Sequence, residues 1–356
     1  MTTACSPAPR PTPAGTPRVP PFAVVSGAQV QSVLQGREQR IVELVEDVYR
    51  LHAEGATVNP PSYFLRFDDR PTSRMVALPA SLGGRTRVDG LKWISSFPQN
   101  TTAGIPRASA VLILNDHDTG YPFACMESSI ISASRTAASA SLAAAWLCRD
   151  RPRPVSLGFV GTGLIARYIH TFLAGTGWSF DDIGVYDLSQ DNATAFRCSL
   201  EQSGAAGRIT VHDSVEQVIR LSDLVVFATV AARPHVHDPA WFAHRPVVLH
   251  VSLRDLAPAV LLASANIVDD VEHCLRADTS PHLTERLTGN RRFLDGTLAD
   301  VMGGRVTPPA DRPVVFSPFG LGVLDLALGK YVYDRLVDSG ELHFVDDFFH
   351  ELNRYG

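Results

Sequence analysis

Lysine is almost missing from this 356-residue chain: of its 32 lysine and arginine residues, Lys92 and Lys330 are the two lysines. No block of basic residues appears and the formal net charge is −5, so a nucleic-acid or membrane-surface role has no electrostatic footprint. Cysteine is sparse. The five residues, Cys5, Cys125, Cys148, Cys198 and Cys274, are scattered and form no CxxC pair. That pattern argues against a disulfide framework or a zinc site and for a reducing cytoplasm. No apolar run reaches membrane-spanning length. The N-terminus, MTTACSPAPRPTPAGTPRVPP, lacks the apolar stretch of a secretory signal, and residues 1–20 read as a disordered proline-rich tail.

What is present suggests two domains. Residues 37–55 place Ile41, Leu44, Val45, Val48 and Leu51 at helical spacing, with Gly55 as the stop. RMVALPAS and GLKWISSFP read as strands; 108–116 and 121–127 read as a hairpin around DHDTG. The alanine-rich segment 134–149 reads as a helix. RDRPRP, 149–154, then reads as a linker. Beyond it come five apolar segments, in VSLGFVG, 182–187, 223–230, 246–253 and 266–270, separated by helical or polar stretches. Continuous apolar strands alternating with helices predict a parallel, doubly wound sheet. The expected fold class is α/β: a Rossmann NAD-binding domain at 151–317 beside an α+β substrate-binding and dimerisation domain at 21–150 and 318–356.

Gly161-Thr162-Gly163-Leu164-Ile165-Ala166 fits the dinucleotide turn G-x-G-x-x-A between a buried strand and an amphipathic helix. Gly161 permits the turn, Gly163 admits a pyrophosphate, and the helix start offers free N–H groups. Asp187 follows Gly163 by 24 positions, at a strand end, where a carboxylate accepts hydrogen bonds from ribose hydroxyls. No arginine stands beside it, which favours NAD over NADP. Thr229 and Ser252, in the segments 223–230 and 246–253, join the expected cofactor set. His235 and His237 in HVHD resemble a metal pair by composition, but a third ligand at suitable spacing is lacking, so no metal is expected.

Ahead of that turn, Arg74, Lys92, Arg107 and Arg135 stand in apolar or small-residue settings. Each alone reads as an ordinary surface charge or structural ion pair; together they suggest a pocket for a multiply anionic small molecule. Arg135, at the expected start of the alanine-rich helix, would let a bound carboxylate face the helix N-terminus.

These residues carry a resemblance. Arg74-Met75 with Leu78-Pro79, Lys92 with Pro98 and Asn100, Gly104-Ile105-Pro106, Asp116 with Thr119-Gly120-Tyr121-Pro122, Arg135-Thr136-Ala137-Ala138 and the Gly161 turn run in the order of the ornithine cyclodeaminase/μ-crystallin family. The resemblance covers nearly the whole chain after the tail. It implies that Arg74, Lys92 and Arg135 hold the substrate's carboxylate and amino-acid head. It also implies that Asp255 is the general base or water activator, that Ser317 to Gly320 form the nicotinamide-side loop, and that the protein is a homodimer. The family's Gly-Gly-Asp appears instead as Val251-Ser252-Leu253-Arg254-Asp255, and Arg107 replaces an uncharged residue. Those departures resemble one branch of the family, which makes L-2,3-diaminopropionate for siderophores and peptide antibiotics. Its substrate is N-(1-amino-1-carboxy-2-ethyl)-glutamate, oxidised and hydrolysed with release of NADH and 2-oxoglutarate. The rival expectations are an ornithine cyclodeaminase that recycles its hydride, and a non-catalytic, ligand-storing μ-crystallin.

Overall fold

The computed structural model describes residues 19–350 except residue 206; residues 1–18 of the expected tail lie outside the described part. The strands in chain order are β1 (Phe22–Val25), β2 (Thr57–Val58), β3 (Tyr63–Arg66), β4 (Arg74–Leu82), β5 (Val88–Ser96), β6 (Ala108–Asp116) and β7 (Pro122–Glu127). They continue as β8 (Ser156–Val160), β9 (Asp182–Tyr186), β10 (Arg208–Val211), β11 (Leu224–Phe227) and β12 (Val247–His250). The last four are β13 (Ala265–Val268), β14 (Leu294–Thr297), β15 (Val314–Ser317) and β16 (His343–Val345).

The first sheet runs β16-β1-β7-β6-β5-β4-β2, with β3 also paired to β4. It is antiparallel except where β1 lies parallel to β7. Helix Gly322–Ser339 brings the chain back from the second sheet and lies across β4, β5 and β6, beside helices Glu38–Ala53 and Ser129–Leu147. The approach is close because glycine allows it. A Cβ at Gly90 would sit 2.8 Å from Leu326, and one at Gly329 would sit 2.2 Å from Leu112. The alanine-rich helix starts at Ser129, not in the region of Ser134, and buries alanines along most of its length against its neighbours.

The second sheet is parallel throughout, ordered β10-β9-β8-β11-β12-β15-β13-β14. Strands β8, β11, β12 and β13 are almost wholly buried, which explains their unbroken apolar runs. Three strands were not among the five expected. β10 alternates exposed and half-buried residues at the sheet edge, β14 reads LDGT, and β15 is four residues long. None gives a long apolar signal. The strand order reverses between β8 and β11, and the crevice at such a switch point is where dinucleotides bind.

Candidate active site

The glycine turn lies at that reversal. Gly161 has φ +89°, and a Cβ there would sit 2.7 Å from the carbonyl oxygen of Ala228, just beyond β11. Only glycine fits without displacing backbone. Gly163 precedes helix Leu164–Gly175, whose first turn has no side-chain cap, and a Cβ at Gly163 would meet nothing within 4 Å. Free N–H groups therefore face open space, which suits a pyrophosphate. The carboxylate of Asp187 fixes the turn: Oδ2 accepts from Thr162 N at 3.0 Å and Thr162 Oγ1 at 2.9 Å, and Oδ1 accepts from Ser189 N at 3.0 Å. A carboxylate offers about four acceptor positions, so Oδ1 keeps one for a ribose hydroxyl. These residues fit NAD.

A cavity of about 260 Å³ lies between the two sheets. Three strand ends converge on it, because Arg74 pairs with Ser96, and Ser96 with Ala108. Arg74, Arg107 and Arg135 line it, and no carboxylate does. Arg107 Nη1 donates to Ser96 Oγ at 2.7 Å, so the alternative pairing with Asp116 is not formed; Asp116 accepts from Thr119 instead. Burial lowers the pKa of Arg107. Burial also lowers that of Arg74, helped by the neighbouring charges of Arg254, Arg107 and Arg66. Arg254 does not project freely into solvent: its Nη2 donates to the Ala277 carbonyl at 2.9 Å. Ile165, expected at the cofactor, is also on the cavity wall.

Arg135 sits in the second turn of its helix, so the expected help from the helix N-terminus is corrected: that effect fades within one turn. The carboxylate of Glu127 already accepts from the N–H groups of Ser129 and Ile130 there. Arg135 is oriented instead by Asp325, whose Oδ1 is 3.4 Å from its Nε. The other oxygen, Oδ2, is 2.8 Å from Lys92 Nζ, which also donates to Ser132 Oγ at 3.2 Å. Lys92 is 1% exposed and does not line the cavity. Burial drives its pKa down to about 8, against the opposing pull of Asp325. The ammonium and Arg135 thus share one buried carboxylate that sequence reading missed. Lys330, by contrast, makes an ordinary surface pair with Asp334 one turn along its helix.

Asp255 is fully buried and also lies off the cavity wall. Its Oδ1 accepts from Thr229 Oγ1 and is 3.0 Å from His235 Nε2. Burial would raise its pKa; hydrogen bonds, first from His235, outweigh that and hold the carboxyl well below the usual carboxylate range. His250 Nε2 lies 3.4 Å from Asp255 Oδ2 but accepts the Asp255 N–H at 3.2 Å, so its proton sits on Nδ1, toward Ser317 Oγ. His235, rather than His250, is therefore the imidazole that can donate to the Asp255 carboxylate. A carboxylate held so firmly ionised is a poor base on its own. His235, noted from sequence only as half of a metal-like pair without a third ligand, is its partner. Among the described residues no cluster suited to a metal ion occurs.

The loop carrying Ser317 to Gly320 is hung from buried Asp269, which accepts from Phe319 N at 2.9 Å and Gly320 N at 2.6 Å. Gly320 has φ +97°, and a Cβ there would lie 2.5 Å from Arg135 Nη1. Ser317 and Ser252 are buried, and Ser317 meets His250. Tyr49 and Ser139, hydrogen-bonded at 3.1 Å, line the cavity and were not singled out from sequence. Neighbouring Asp270 caps the helix Val271–Cys274 and holds both His273 and, from the helix Glu38–Ala53, His52 at 3.1 Å.

Residues 24–340 match the model of the ornithine cyclodeaminase/mu-crystallin family. Among curated proteins, the N-((2S)-2-amino-2-carboxyethyl)-L-glutamate dehydrogenase of Staphylococcus aureus is 27% identical over 317 residues, 83% of this chain and 90% of that protein. The alanine dehydrogenase of Archaeoglobus fulgidus is 26% identical over 323 residues, 89% and 95% of the respective chains. Among solved structures, CmnK superposes with a TM-score of 0.81 at 30% identity, covering 92% of this chain and 99% of that one. The Thermococcus litoralis Δ1-pyrroline-2-carboxylate reductase, solved with NADH and L-proline, gives 0.83 at 22% identity over 91% and 100%. The chain belongs to the ornithine cyclodeaminase/mu-crystallin family.

Proposed function

We propose that this NAD-dependent enzyme oxidises the secondary amine of N-(1-amino-1-carboxy-2-ethyl)-L-glutamate, yielding L-2,3-diaminopropionate, 2-oxoglutarate and NADH. The observation that carries this reading is a cavity lined by three arginines and no carboxylate. Such a wall favours a substrate with several carboxylates. Ornithine brings one carboxylate and two ammonium groups to this wall and the adduct three carboxylates, so the charge balance counts against the cyclodeaminase reading. The name of the Staphylococcus aureus relative supports the same choice.

Bound NAD⁺ supplies the hydride acceptor. Arg135, braced by Asp325, and Arg74 hold the carboxylate next to the reacting carbon; Arg107 takes a second one. Lys92 acts behind them, holding Asp325 in place through its second oxygen. Loss of hydride from the glutamate Cα and of the proton from nitrogen leaves an imine. Water adds to its carbon, a proton leaves, and the C–N bond breaks as nitrogen takes a proton. The sum is amine, NAD⁺ and water to ketone, primary amine, NADH and a proton. We assign the water's proton to the Asp255–His235 pair. Asp255 fixes His235 through Nε2, and Nδ1 has no partner among the described residues.

Near-ultraviolet absorbance reads the outcome. The adduct with NAD⁺ gives NADH and 2-oxoglutarate in equal amounts, and L-ornithine gives neither NADH nor proline. In Asp255→Asn, turnover falls by about a hundredfold or more while NADH binding persists. Proline and ammonia from ornithine, without NADH from the adduct, would overturn the reading.

The family's homodimer is part of this proposal. Val58, Tyr63 and Leu65 expose 61%, 65% and 45% of their surface along the sheet edge, which suits pairing with a second copy.

A further inference from the structure

A second cavity of about 450 Å³ adjoins the first, and Phe319 forms part of the wall of both. Arg66, Arg276, His273 and His282 line it, again without a carboxylate. Arg66 lies over the Phe64 ring at 5.0 Å, and Arg276 Nε donates to the Glu272 backbone carbonyl. Among the described residues neither guanidinium has a carboxylate partner. His282 Nδ1 accepts the Asp278 N–H at 3.2 Å, so Nε2 carries the ring proton and is free to donate.

The two cavities share a line of positive charge. In the β3–β4 ladder Arg66 stands directly opposite Arg74, which lines the first cavity. Like charges facing each other across strands are unfavourable. An anion reaching from one cavity to the other would relieve that cost. Arg66 and Arg276 are exposed, so the second cavity opens to solvent, as a route for a departing product must.

We propose that the second cavity is the subsite for the carboxylate of the leaving amine, with Arg66 and Arg276 as specificity-determining donors. This rests on the function proposed above and adds the residues that select the substrate's second arm. Small amino acids would fill the first cavity alone. A substrate with a carboxylate on the amine side would engage both.

The test is calorimetric titration of the protein–NADH complex, in which no turnover occurs. The probes are the diaminopropionate–glutamate adduct and N-(2-aminoethyl)-L-glutamate, which lacks only the carboxylate in question. Wild type should prefer the adduct by roughly ten- to hundredfold. Arg66→Gln and Arg276→Gln should each erase most of that preference, and Arg66→Lys should restore part. Affinity for the decarboxylated probe and for NADH should not move. Equal affinity of wild type for the two probes would overturn the subsite, as would variants that keep the preference or lose both probes equally. The substrate reading fails differently: neither probe would bind, or the adduct would yield no NADH.

Discussion

Asp325 holds two cations, Lys92 on one oxygen and Arg135 on the other. Both it and Lys92 are removed from water, where an unpaired charge is far costlier than a paired one. Arginine in place of Lys92 would bring a planar fork into a site shaped for a point charge between Asp325 and Ser132. Asp325→Asn should therefore destabilise the fold by about 3 kcal/mol, read from urea unfolding, and raise KM because Arg135 loses its brace. Unchanged stability and unchanged KM would show that the carboxylate is dispensable. The pairing was not legible in the sequence: its members lie 233 positions apart. The one available signal was a lone carboxylate in the apolar run GVLDLALG. Tyr49, and the parts played by His235 and Asp269, escaped for a similar reason. Their partners come from other elements, and side-chain type alone does not reveal them.

At the scale of elements, the strand-turn-helix from Ser156 to Gly175 was readable because its pattern is local. A buried strand, two glycines and an amphipathic helix follow each other directly. The two glycines serve different ends, and substitution separates them. Gly163→Ala places a methyl in space that the protein leaves open, so folding stability should hold while NADH affinity falls about tenfold. Gly161→Ala forces a strained φ and a contact with Ala228, so stability itself should fall. Thermal unfolding and NADH fluorescence titration read both. An unweakened Gly163→Ala variant would place the pyrophosphate elsewhere. Elements without a local pattern were less legible. β10, β14 and β15 are short or polar and earn their place by pairing with neighbours. The helix start at Ser129 was misplaced because the first N–H groups are bonded by Glu127, which stands one residue ahead of the N-cap position Ser128 where a capping side chain is looked for.

For the whole molecule, the two sheets meet so that cofactor turn, arginine cavity and the Ser317–Gly320 loop share one region. The collinear series from Arg74 to the Gly161 turn made that assembly legible as a family resemblance before any geometry was known. The division of labour within it was not: Lys92, expected at the substrate head, and Asp255, expected to activate water, both stand off the cavity wall. In the proposed reaction the glutamate carbon loses its hydride for good. The most direct measurement uses the adduct deuterated at that carbon, with mass analysis of the reduced nicotinamide and the keto acid. One deuterium is expected on each NADH formed, none on 2-oxoglutarate, and equal amounts of the two products. Deuterium retained in an amino-acid product, with no net NADH, would contradict it.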